Sequence, residues 1–173
     1  MTSLLDQLLA DINDQSNPPV DLWDPEFCGQ IDIKIKKNGE WIHEGRLMTR
    51  MKLVKLFASV LKFDEGRYYL VTPVEKVEIQ VEEFPFIVVG LEQVSDRWFM
   101  TNNLGEVIEL TTQQKLDTEQ DNCPTVIWKR NLRAKLNQNV MYQLQTYAIE
   151  HGVEENGIVK VKVGDGLIDI GPL

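Results

Sequence analysis

Two stretches of this chain concentrate positive charge, although the chain as a whole is acidic. Between Cys28 and Lys62 stand Lys34, Lys36, Lys37, Arg46, Arg50, Lys52, Lys55 and Lys62, against only Asp32, Glu40 and Glu44. Between Trp128 and Gln138 stand Lys129, Arg130, Arg133 and Lys135, with no acidic residue among them. Arginines that converge beside a helix N-terminus form an anion site, through charge-assisted N–H bonds and the free N–H groups of the first helical turn. The alternative is a solvated face that offsets the acidic remainder. Trp128 opens the second run. An aromatic ring beside arginines can stack a base, and a tryptophan can equally be core.

A third candidate is the run Thr72-Pro73-Val74-Glu75-Lys76. Pro73 fixes a bend, because the residue before proline avoids the helical region. Either Glu75 pairs with Lys76 or a nearby arginine in a structural turn, or the run is a polar corner at a ligand pocket. The ligand reading places Arg50, Thr72, Glu75 and Lys76 opposite Trp128, Arg130 and Arg133 across a cleft. The arginines would hold a phosphate bidentately, and Thr72 and Glu75 would bond a ribose or base edge.

Other chemistries find little support. With 27 Asp and Glu against 18 Lys and Arg, the net charge is −9, which argues against nucleic acid as a partner because phosphate affinity needs clustered positive charge. His43 and His151 have no ligand at metal-binding spacing, and His43-Glu44 on a strand would point to opposite faces. No GxSxG, glycine-rich phosphate loop or GxGxxG is present, so no catalytic residue and no cofactor is assigned. Cys28 and Cys123 read as reduced thiols of a cytoplasmic protein. The N-terminus lacks the basic region of a signal peptide, and no apolar run is long enough to span a bilayer.

The elements that must position these residues follow from periodicity. Leu4, Leu5, Leu8, Leu9 and Ile12 predict a short docking helix, ended by Asn17-Pro18-Pro19. Ile31 to Ile35 alternates as a strand, and Asn38-Gly39 turns it towards Trp41. Thr49 caps a predicted helix over 50–61, with Leu53, Leu56, Phe57, Val60 and Leu61 on one stripe. Strands are predicted over 67–72, 76–81 and 85–91. Further strands follow at Trp98 to Met100, Val107 to Leu110 and Val126 to Trp128, with a loop over 111–123. A helix over 140–150 stops at Gly152 as a natural cap, and a final hairpin spans 157–170.

The order hairpin, strand, helix, strands occurs twice, so the chain is a candidate duplication; the alternative is that an α+β chain shows this order by chance. The expected architecture is α+β: two similar subdomains, each a curved, mostly antiparallel sheet with one main helix. Residues 1–20 form the docking helix and linker, 21–82 the first subdomain and 83–173 the second.

Cys28-Gly29-Gln30-Ile31-Asp32, Gly39-Glu40-Trp41 and Tyr69 to Lys76 together resemble a bacterial family known as domain of unknown function twelve-eighty-five. The helix residues Arg50, Leu53, Val54, Leu56, Phe57, Ala58, Val60 and Leu61 match it, as does Pro85-Phe86. The second half matches through Arg130, Leu132, Ala134, Leu136 and Tyr142, but has Asn131 in place of a glycine and Gln138-Asn139 in place of an arginine. The resemblance implies a duplicated α+β fold, a second half similar to pleckstrin-homology domains, and a nucleotide-type ligand between the halves with a role in signalling. The expected function is a non-catalytic, ligand-binding regulatory module. The alternatives are a protein–protein interaction module with no small ligand, and an enzyme of unknown reaction.

Overall fold

The computed structural model describes residues 18–118, 123–164 and 166–172. The predicted N-terminal helix lies outside these residues. The chain divides into two compact units, 1–83 and 84–173.

The first unit is built on a six-stranded sheet. Its elements are β1 (Phe27–Ile35), β2 (Trp41–His43), β3 (Arg46–Leu47), helix α1 (Met51–Ser59), β4 (Leu61–Asp64), β5 (Arg67–Val71) and β6 (Lys76–Val81). The strand order is β3-β2-β1-β6-β5-β4. All neighbours are antiparallel except β1 and β6, which run parallel. Ile33 and Ile35 of β1 are buried along with Val77 and Ile79 of β6, as period-two alternation requires of a sheet with one covered face. Gly39, at φ 89°, lies in the β1–β2 turn, where the Gly39 N–H donates to the Lys36 carbonyl.

Helix α1 is shorter than its apolar stripe predicts. Val60 and Leu61 are buried, but β5 claims them. The Val71 N–H donates to the Val60 carbonyl, and Leu61 pairs with Leu70 as β4 begins. At the other end the cap is Arg50, not Thr49, and no side chain caps the helix.

The second unit comprises β7 (Phe86–Val94), β8 (Arg97–Asn102), β9 (Val107–Leu110), β10 (Thr125–Lys129), β11 (Leu132–Leu136), helix α2 (Gln138–His151), β12 (Val153–Glu155), β13 (Ile158–Val163) and β14 (Gly166–Gly171). Five strands form one sheet in the order β10-β11-β7-β8-β9, and β12-β13-β14 form a second. Again the unit's first strand has a parallel partner, here β11. Helix α2 packs against β7, β13 and β14, burying Val140, Leu144 and Ala148. Asn137 caps it by accepting the Val140 N–H at 2.8 Å.

Two expectations change here, and one segment that the sequence left without an element gains one. The basic run 129–135 lies on the β10–β11 hairpin, because Leu132, Ala134 and Leu136 alternate inward between the charges. The loop after β9 holds a 3-10 turn, Thr112–Gln114, closed by a capping box between Thr111 and Gln114. Gly152 ends α2 in an extended conformation (φ −73°), not a left-handed one. Glycine is required there for space: a Cβ would lie 2.4 Å from the Ala148 carbonyl oxygen and 2.7 Å from Val159.

The fold is α+β, with one main helix in each unit, and the shared element order is compatible with duplication. Among the described residues no helix is long and apolar enough to cross a membrane.

Candidate functional site

The site is built from a hairpin and the helix that follows it. Glu44 and Gly45, both at positive φ (49° and 78°), make a tight turn between β2 and β3. The turn sets His43 directly opposite Arg46, so both side chains stand on one face of the ladder. After β3 the chain passes through Met48 and Thr49 to Arg50, the cap of α1. His43, Glu44, Arg46, Leu47, Met48, Thr49, Arg50 and Leu53 line an open cavity of about 590 Å3.

The electrostatics of this cavity are unbalanced. Among the described residues, no carboxylate lies within ion-pair distance of Arg46 or Arg50. Glu44 instead approaches the His43 ring, Oε1 to Nε2 3.9 Å. Since Glu44 is a turn residue, it does not sit on the opposite face from His43 as strand geometry would require. At the helix start, Leu53 is the first residue whose N–H reaches a carbonyl of the turn, that of Arg50 at 3.0 Å. The first turn contains no acidic residue. The N-terminal end of a helix carries partial positive charge on N–H groups that precede the first intrahelical bond. Two arginines and this helix end therefore border one cavity. The chemistry available is the binding of an anion, with Leu47, Met48 and Leu53 as apolar wall.

The other residues singled out in the sequence occupy two further places. Thr72, Glu75 and Lys76 form the β5–β6 corner. Thr72 is fully buried, and its Oγ1 accepts the Val74 and Glu75 N–H groups at 3.3 and 3.0 Å. The Thr72 N–H donates in turn to the Glu75 carbonyl at 2.8 Å. Lys76 Nζ lies 4.3 Å from the centre of the Tyr69 ring and 3.7 Å from Asp64. Thr72 thus closes the corner. Thr72→Val keeps the shape but strips two part-buried N–H groups of their acceptor, at an expected cost of about 0.5–1.5 kcal/mol. A urea midpoint within error of the parent's would show that the hydroxyl is dispensable to the turn.

Trp128, Arg130 and Arg133 lie on the β10–β11 hairpin. Trp128 is 3% exposed, with its ring centre 6.4 Å from that of Phe86, so it is a core residue of the second unit. Arg130 takes the turn itself, at φ 51°. Arg133 donates from Nε to Thr125 Oγ1 at 2.8 Å and from Nη2 to the Lys115 carbonyl at 3.0 Å. Beside them Lys129 lies over the Phe86 ring and 3.4 Å from Glu106. Burial holds its pKa below the ordinary lysine value; Glu106 opposes the shift and Arg130 adds to it.

Sequence reasoning listed Arg46 among the basic residues without singling it out, and set His43 aside for want of a second ligand at metal-binding spacing. The usable signal was the two-residue turn Glu44-Gly45, which forces positions 43 and 46 to face each other.

The backbone that carries this cavity is shared with known proteins. Residues 18–84 match the N-terminal domain of DUF1285, a domain of unknown function. The resemblance to that family holds. The DUF1285 match ends where the first unit ends, at the junction of 83 and 84. A crystal structure of a DUF1285 family protein from Silicibacter pomeroyi DSS-3 superposes with a TM-score of 0.84 at 28% identity, covering 100% of this chain and 97% of that one. A second, from Shewanella baltica OS155, gives a TM-score of 0.54 at 28% identity, covering 66% of this chain and 90% of that one. No curated protein matches the chain.

Proposed function

We propose that this protein is a non-catalytic ligand-binding module. Its first unit takes a phosphate-bearing small molecule of nucleotide type, and the bound state serves in signalling. The observation that carries this reading is Arg46 and Arg50 on one cavity with the N-terminus of α1, without a carboxylate partner for either. A phosphate there gains bidentate N–H bonds from guanidinium groups and the helix N–H groups together. The apolar side of the cavity, Leu47, Met48 and Leu53, offers a surface to a base or ribose.

Thermal unfolding at low salt, with inorganic phosphate and with AMP as probes, tests the reading. Ligand at about 100 times its Kd stabilises the native state by about 2.7 kcal/mol. AMP is expected to raise Tm, and phosphate to do so at higher concentration. Arg46→Gln and Arg50→Gln should each weaken the shift, and the double variant should remove it while leaving the unliganded Tm in place. Both side chains are exposed, so the fold does not depend on them. No shift at millimolar AMP would reject the nucleotide reading.

One observation favours an interaction module instead. Tyr142 and Ile149, seven residues apart on one face of α2, are 69% and 71% exposed. Apolar side chains so placed suit a protein partner. Analytical ultracentrifugation of Tyr142→Ser/Ile149→Ser beside the parent separates self-association from a hetero-partner.

A further inference from the structure

The second unit holds a cavity of its own, unlike the first in charge. Lys115, Leu116, Asp117, Thr118, Arg133, Ile158, Asp169, Gly171 and Pro172 line an open cavity of about 680 Å3. Four of these side chains are charged, Lys115 and Asp117 on the loop after β9 and Arg133 and Asp169 on strands; the strand pair is the one whose placement the sheets fix.

Arg133 is held from behind. Nε donates to Thr125 Oγ1 at 2.8 Å, and Nη2 donates to the carbonyls of Lys115 and Thr125 at 3.0 and 3.3 Å. All three acceptors are neutral, so they fix the plane of the guanidinium without cancelling its charge. Among the described residues no carboxylate pairs with it, and Nη1 keeps its donors. A guanidinium fixed in this way loses little entropy when it binds a carboxylate. Asp169, on β14, carries the opposite sign. Its ion-pair partner is Lys160 at 3.8 Å, and that lysine lies closer to Glu155, at 3.2 Å. One ammonium shared by two carboxylates leaves net negative charge at this wall. Leu116, Ile158 and Pro172 supply apolar surface.

From this arrangement we infer that the second unit binds a small amino carboxylate. Its carboxylate meets Arg133, its ammonium meets Asp169, and its carbon body lies on Leu116, Ile158 and Pro172. This is a different ligand class from the anion assigned to the first unit, and the inference stands without that assignment.

The test is a thermal-shift and calorimetric ladder on the full chain. L-leucine, leucyl-leucine and 6-aminohexanoate place the two charges at increasing separation. Hexanoate and hexylamine carry one charge each. At least one zwitterion should raise Tm and give a saturable heat, at a concentration tenfold or more below that at which hexanoate or hexylamine does. Arg133→Gln and Asp169→Asn should each weaken that binding tenfold or more. Because Arg133 also ties Lys115 to Thr125, Asp169→Asn, at an exposed side chain of β14, is the variant that tests the site with the fold undisturbed. The inference is overturned if no zwitterion binds at millimolar concentration, if hexanoate binds as well as 6-aminohexanoate, or if Asp169→Asn binds like the parent.

Discussion

Phe57→Ala should lower stability by about 3–5 kcal/mol. Phe57 is 0% exposed and sits at the centre of the buried face of α1, between Val54 and Ala58. The truncation loses the transfer free energy of the ring and leaves a hole that close-packed neighbours fill only in part. The helix is only nine residues long, and a helix that short is held by packing more than by propensity. The loss should therefore reach the N-terminal end of α1, so AMP binding in the first unit should weaken along with stability. Lys55→Ala, on the exposed side of the same helix, should stay within about 0.5 kcal/mol of the parent. Urea denaturation of both variants measures the contrast, and a Phe57→Ala loss under about 1 kcal/mol would mean that the ring is not core.

Phe86→Ala should cost a similar amount in the second unit, about 3–5 kcal/mol. Phe86 is 0% exposed, opens β7 and packs on Trp128, with the Lys129 ammonium 5.4 Å over its ring. The variant should differ from Phe57→Ala in its pH dependence. Burial holds the Lys129 pKa in the folded protein below its ordinary value near 10.5. The unfolded chain therefore binds this proton more tightly than the folded one. The cost is fully present below the lowered pKa and is relieved as pH rises from there towards 10.5, so this group makes stability increase with pH across that window. Removing the ring lets water reach the ammonium and should flatten that slope. Denaturation midpoints measured from neutral to alkaline pH give the slope for parent and variant. Equal slopes would show that Phe86 does not keep Lys129 dry.

The elements that were legible in the sequence are those whose local pattern had no competitor. Val107–Leu110 is one strand with the bounds its β-branched residues predict, and the chain turns at Asn38-Gly39, although only Gly39 takes a positive φ and the central pair of the turn is Lys37-Asn38. The misreadings arose where two patterns overlapped. Val60 and Leu61 continue the helical stripe of α1, yet the sheet takes them, because only pairing with β5 satisfies their backbone while they are buried. Leu132 to Leu136 alternates like a strand, but its charges drew attention first. At the site, composition showed where positive charge is concentrated but not which side chains meet. Arg50 was legible as a candidate. Its neighbour Arg46 depended on the register of a two-residue turn, and the tether of Arg133 to the Lys115 carbonyl depended on a loop with no periodicity to read.

In both units the opening strand takes its parallel partner from far down the chain, β1 from β6 and β7 from β11. A ribosome delivers β1 long before β6 exists. Until then β1 can pair only with the hairpin strand β2, and its other edge stays open. A two-stranded ribbon is marginal in water, and an unpaired edge invites other chains. The first unit therefore cannot mature hairpin by hairpin during translation. Its sheet closes only once nearly the whole unit has left the exit tunnel, and the closure entropy of that long span then governs its rate. A stalled or truncated transcript that ends before Lys76 would release a chain with β1 exposed, and such fragments should be recovered as aggregates or with chaperones, not as a smaller folded protein.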